Sequence, residues 1–123
     1  DVEKYQPDLI GISVFSDPQV FANVSYLCAR LHSSCRRAKI VLGGPHVSAC
    51  PEQAFDWFPE IDFILIGETE DSLLLLAKQL HNNTAYPQVG GLYYRKNDKV
   101  ASLPYTQFPV LLDSLPIPNR KLL

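Results

Sequence analysis

Residues 39–46 read KIVLGGPH. Ile40, Val41 and Leu42 make an apolar run of strand length, and Gly43, Gly44, Pro45 and His46 follow where a strand would hand over to a helix. Two other stretches repeat the pattern. Residues 7–15, PDLIGISVF, form a short apolar run entered through Pro7, and residues 63–67, FILIG, form another. Helical spacing fills the gaps. Asp17 is placed to cap a first helix with Pro18 in its first position. Val20, Val24, Leu27, Cys28, Leu31 and Cys35 recur along it at a period of about 3.6, and Arg36, Arg37 and Lys39 suit the negative end of its dipole. Pro51 and Glu52 begin a shorter helix to about Phe58. Glu68, Thr69, Glu70 and Asp71 begin a third, with Leu73, Leu76, Ala77 and Leu80 on its buried face. Residues 89–95 (VGGLYYR), a KNDK turn and residues 100–103 (VASL) then form a hairpin.

Strand–helix alternation of this kind predicts an α/β fold in three layers, a parallel sheet with helices on both faces. The expected core is Leu9, Ile10, Ile12, Val14, Val24, Leu27, Leu31, Ile40, Val41, Leu42, Phe63, Ile64, Leu65, Ile66, Leu73, Leu76 and Leu80. From Pro104 the composition changes. Pro104, Pro109, Pro116 and Pro118 make residues 104–123 an extended linker rather than a core element, so residues 1–103 are the expected domain.

The 123 residues suffice for one domain. A net charge of −2 with both signs interspersed argues against a nucleic-acid partner, and no apolar run is long enough to span a membrane. Cys28, Cys35 and Cys50 match neither a disulfide framework nor a zinc or iron–sulfur spacing, which fits a reducing, cytoplasmic setting. The chain has no methionine and opens DVEKYQ, so it reads as a piece of a longer protein.

In open α/β sheets, ligands sit outside the carboxyl ends of the strands. The candidate residues are therefore Ser13, Val14, Phe15 and Ser16 after the first strand, Gly43, Gly44, Pro45 and His46 after the second, and Gly67 and Glu68 after the third. Two glycines let backbone approach a ligand, serines can donate and accept, and helix N-termini favour polar groups. Taken singly, a glycine pair is punctuation, His46 is a loop histidine and Glu68 a helix-start carboxylate. There is no GxGxxG, no GxxxxGK[ST] and no GxSxG. These loops can bind; no catalytic residue and no metal ligand is assigned.

As an ordered set, PDLIGISVF, IVLGGPHVS, DFILIGETE, VGGLYYR and LDSLPIPNR closely resemble the N-terminal cobalamin-binding domain of B12-dependent radical SAM proteins. That family includes magnesium-protoporphyrin monomethyl ester cyclase-like enzymes and several C- and P-methylases. The resemblance implies a flavodoxin-like (Rossmann-like) fold. Cobalamin would lie at the carboxyl edge of the sheet, Ser13 to Ser16 would line its nucleotide tail, and Gly43 and Gly44 would give it room. Gly67 and Glu68 would border the same cleft, and His46 would support the loop. It also implies a downstream radical SAM domain of the same chain, carrying a 4Fe-4S cluster and S-adenosylmethionine, so this piece would not be catalytic alone. The family's domain begins with a further strand and helix, and some relatives carry there a DxHxxG motif whose His binds cobalt.

In a 2-1-3-4-5 order that first strand would lie between residues 8–14 and 39–42. Without it, those segments would pair directly or borrow a strand from a second copy, a homodimer through the unpaired sheet edge. Either outcome would narrow the cleft, so the piece is expected without bound cobalamin. Gly44→Val is expected to exclude the tail and leave folding nearly intact. The alternatives are a degenerate domain that binds no B12 and serves as a structural or docking module, an FMN binder, and a phosphoacceptor receiver. The last wants a strand-terminal Asp and the FMN binder a hydroxyl- and glycine-rich phosphate loop; neither is present here.

Overall fold

In the computed structural model, which describes residues 2–105, 113 and 115–117, ten elements succeed one another. They are α1 (Val2–Tyr5), β1 (Leu9–Ser13), α2 (Pro18–Ser34), β2 (Lys39–Gly43), α3 (Pro45–Ala49), α4 (Pro51–Trp57), β3 (Phe63–Leu65), α5 (Glu70–His81), β4 (Leu92–Lys96) and β5 (Lys99–Ser102). The expected linker lies mostly outside the described residues.

The sheet order is β1-β2-β3-β4-β5. The first three strands are parallel, and the hairpin joins beside β3 antiparallel, so the sheet is mixed. Asn97 and Asp98 turn that hairpin with φ of 50° and 59°. A two-residue turn with both φ positive matches the twist of the strands it joins.

Side chains alternate between faces along each strand. One face presents Ile10, Ile12, Ile40, Leu42 and Ile64 to a core completed by Val24, Cys28 and Leu31 of α2, Val47 of α3, and Ala54 and Phe55 of α4. The other presents Val41, Phe63, Leu65, Leu92 and Tyr94 to Leu76 of α5. Helices thus cover both faces, the three layers expected of a flavodoxin-like domain. Asp17 caps α2 as anticipated, accepting from the N–H groups of Gln19 at 2.8 Å and Val20 at 3.1 Å. The helix ends at Ser34, so Arg36, Arg37 and Lys39 lie beyond it.

Residues 9–13 pair directly with 39–43 in continuous parallel register. The ladder extends at both ends, Lys39 N–H donating to Asp8 O at 2.9 Å and Val14 N–H to Gly43 O at 2.8 Å. Direct pairing is therefore what occurs, and it leaves no gap between these strands. Among the described residues the sheet has two unpaired outer edges, that of β1 and that of β5.

The edge position of β1 explains the three departures from the expected core that fall on it. Leu9, Ile10 and Ile12 are half-buried, and Gly11 and Ser13 are exposed. Ile66 and Leu80 are half-buried as well. Two expected core residues are exposed: Leu27 at 42% and Leu73 at 37%. The buried line of α2 runs through Val24, Cys28 and Leu31 to the C-cap Cys35 and leaves Leu27 outside it. Leu73 faces Gly11 and Gly43, strand positions that offer no side chain to pack against.

Candidate functional site

Because β1, β2 and β3 are parallel, their carboxyl ends share one edge of the sheet. The first two loops there are stitched together. Ser13 pairs with Gly43, His46 N–H donates to Val14 O at 3.3 Å, and His46 Nδ1 lies 3.2 Å from Ser16 Oγ. Gly67 and Glu68 come after the end of β3 on this edge.

The register also places Gly11, Ser13, Val41 and Gly43 on the face that α5 covers. Two of these four positions have no side chain, so the surface falls away at this corner. The result is a cavity of about 250 Å³, lined by Gly11, Ser13, Val41 and Gly43 from the sheet, and Leu65, Thr69 and Leu73 from β3 and the start of α5. A Cβ on Gly43 would meet only Leu65 O, at 3.6 Å, and one on Gly11 only Val41 Cγ1, at 3.9 Å. Both are ordinary contacts, so the space over these glycines is open. The lining is apolar apart from the hydroxyls of Ser13 and Thr69, and no charged side chain contributes to it. Such a slot suits a neutral, flat group with one or two polar edges; a bare phosphate would lack a cation there.

Gly44 also touches the cavity but for a different reason. Its φ of 98° is one that L side chains rarely adopt, and a Cβ there would lie 2.8 Å from Ser13 Oγ, 2.8 Å from Val14 O and 2.9 Å from Val14 N. Gly44 lets the second loop close against the end of β1. The expectation that Gly44→Val would leave folding nearly intact is therefore overturned: the added atoms collide with backbone, not with ligand space.

The remaining candidates divide. Val14 is fully buried in the core beneath α2, and Phe15 is 57% exposed. Pro45 and His46 open α3, a helix where the sequence reading has a loop. The His46 ring packs edge-on to Phe21 at 5.7 Å and beside Trp57 at 5.5 Å, so it braces the loop towards α2 and α4. The slot reaches the third loop at Thr69 rather than at Gly67 or Glu68, which lie against Tyr105. Gly11, Val41, Leu65, Thr69 and Leu73 were not anticipated. Gly11 carried a signal: a glycine interrupting an apolar strand marks close approach of another group. Among the described residues no three His, Cys, Asp or Glu side chains gather as a metal site, and no helix is long and apolar enough to cross a membrane.

A family model described as B12 binding domain matches residues 1–77. An uncharacterized methyltransferase of Pyrococcus horikoshii is 30% identical over 123 residues, 99% of this chain and 26% of that protein. The chain spans about a quarter or less of the curated relatives it matches. Among solved structures, the radical S-adenosylmethionine methyltransferase TsrM from Kitasatospora setae, with cobalamin and a [4Fe-4S] cluster bound, superposes with a TM-score of 0.69 at 20% identity. The match covers 89% of this chain and 21% of that one. The cobalamin-dependent S-adenosylmethionine radical enzyme OxsB, in its apo form, gives 0.64 at 27% identity, covering 84% and 14%.

Proposed function

This chain belongs to the B12-binding domain family, and from that premise we propose that the slot over Gly11 and Gly43 receives the nucleotide tail of cobalamin. The observation that carries the reading is the bare strand surface: two missing side chains leave an uncharged space with a hydroxyl on each side. That space is of a size for a heterocyclic base and far too small for a corrin ring, which would lie outside the strand ends. Ser13 and Thr69 would hydrogen-bond the tail's polar edge, Leu65 and Leu73 would cover its flat faces, and Leu73 would be shielded from water in the process. Ser16, His46 and Gly44 act one step back, fixing the loops. Bound cobalamin would supply a cobalt centre able to carry and transfer a methyl group.

In this reading the described residues line one wall of that site, and none of them is assigned as a cobalt ligand. We therefore assign the chain weak binding by itself and place catalysis in a parent enzyme whose radical SAM domain, with a 4Fe-4S cluster and S-adenosylmethionine, lies downstream in the same chain. A methyltransferase or cyclase-like reaction is the class this implies. Residues 1–103 are the domain in this reading and 104–123 its connection onward, and pairing of two copies along the β1 edge is checked by sedimentation over a range of concentrations.

The test compares hydroxocobalamin with cobinamide, which lacks the nucleotide, by amide shifts in the labelled chain. Hydroxocobalamin at millimolar concentration is expected to move Gly11, Ser13, Gly43 and Thr69, and cobinamide to leave them in place. Equal effects of both would overturn the tail assignment, and silence from both would favour a domain that binds no B12. A corrin absorption change at micromolar concentration would overturn the weak binding.

A further inference from the structure

The β3–α5 connection closes the slot at Thr69, at the start of α5. Thr69 occupies the N-cap of α5 without making a side-chain capping bond, in contrast to Asp17 on α2. The holding group comes from 37 residues further on: Glu68 N–H donates to the hydroxyl of Tyr105 at 2.9 Å. The ring of Tyr105 covers two bare backbone turns. At Gly67, whose φ is 78°, a Cβ would collide with the ring, and at Gly91 a Cβ would lie 2.7 Å from Tyr105 Cδ2. The approach is fixed from behind as well. Gly91 N–H donates to the carbonyls of Leu103 at 3.2 Å and Pro104 at 3.3 Å, and Gly91 O accepts from Ile66 N–H at 3.1 Å. Tyr105 stays 39% exposed, so core burial is not what places it there.

We propose that Tyr105 is a positioning residue of the slot, a clamp that sets the Gly67–Thr69 turn and so links the chain leaving the domain to the wall formed by Thr69 and Leu73. This rests on the cobalamin-tail reading for its functional consequence and on geometry alone for the clamp. Thr69 comes directly after the clamped Glu68, and Leu73 is one helical turn beyond. Releasing the clamp lets this wall move while β1 and β2, held by their own ladder, stay put. By reciprocity, a ligand that needs the wall in place should tighten the clamp.

Tyr105→Phe removes the hydroxyl and keeps the ring; Tyr105→Ala removes both. In the 123-residue chain, amide exchange at Glu68 is expected to rise roughly 2- to 10-fold in Tyr105→Phe, the worth of one net hydrogen bond. Tyr105→Ala is expected to raise it further, with exchange at Leu42 and Ile64 unchanged in both. The hydroxocobalamin concentration needed to shift Thr69 is expected to rise several-fold in Tyr105→Ala. Unchanged exchange at Glu68 overturns the clamp. Faster exchange with wild-type cobalamin affinity overturns the positioning role. A wild-type chain without cobalamin shifts overturns the tail reading and leaves the clamp to be judged by exchange, which needs no ligand.

Discussion

Gly43→Val and Gly44→Ala alter neighbouring residues and should fail in opposite ways. Gly44 has φ 98° and ψ 170°, a region that costs a residue with a Cβ about 1–3 kcal/mol. The Cβ contacts at 2.8–2.9 Å with Val14 O and N add to that. Ser13 Oγ can rotate away, but Val14 is held by hydrogen bonds to Gly43 and His46, and such overpacking typically costs a further 1–3 kcal/mol or so. Taking a loss of about 3 kcal/mol out of a total of roughly 5–15, the melting temperature should fall by roughly 10 °C. Gly43 has neither problem. Its added Cβ meets one carbonyl at 3.6 Å, and a β-branched residue suits a strand, so Gly43→Val should stay within about 1 kcal/mol of wild type by urea titration. Its methyl groups instead occupy the slot, and the hydroxocobalamin shifts at Ser13 and Thr69 should weaken at least tenfold. A Gly44→Ala protein as stable as wild type would refute the packing account of the second loop. A stable Gly43→Val protein with unaltered shifts would refute the slot as the tail site.

Three further outcomes are expected. Asp17→Ala leaves the first N–H groups of α2 without their acceptor and should lower stability by about 1 kcal/mol, read as a shifted urea midpoint with unchanged slope. Ile64→Ala empties a fully buried position in the central strand of the sheet and should cost about 2–5 kcal/mol, with a smaller loss showing that the core collapses around it. Cys28 is fully buried, and burial first and the Glu60 carboxylate second push its thiol up from 9.0 to about 11. In the unfolded chain that thiol ionises near its ordinary value, so below pH 9.0 it contributes no pH dependence. Between 9.0 and about 11 it should cost stability by up to about 1.4 kcal/mol per pH unit. Cys28→Ala should flatten that part of the stability–pH curve, and an equally steep curve in the variant would assign the slope to other groups.

The order and type of the main elements were legible because each was signalled twice. Asp17 and Pro18 start α2 just where the 3.6-residue stripe begins, and the apolar run of β3 is buried on both faces as its unbroken composition requires. What the sequence could not show is coverage. The same composition in β1 leaves Gly11 and Ser13 exposed, since burial of an edge strand depends on what lies beside and above it. Leu73 fails as a core residue for a related reason: helical spacing tells which way a side chain points, and only the register tells that it points at Gly11 and Gly43. The α3 helix over Pro45–Ala49 is too short for periodicity to register.

Adjacent glycines at the end of β2 carry two separate tasks, and their identity in the sequence conceals it. Gly43 belongs to the ladder, with open space over its Cα, and in the proposed reading its lack of a side chain leaves room for the cobalamin tail. Gly44 lies past the ladder at positive φ, with Ser13 and Val14 packed against it, and its lack of a side chain serves the protein itself. Substitution at the first would show as lost ligand binding, at the second as lost stability. The free surface over Gly43 continues to Gly11 and ends at Thr69, where the turn is held by Tyr105. If the slot binds the cobalamin tail as proposed, affinity for the tail and the seating of Tyr105 on the Gly67–Thr69 turn would be one coupled quantity.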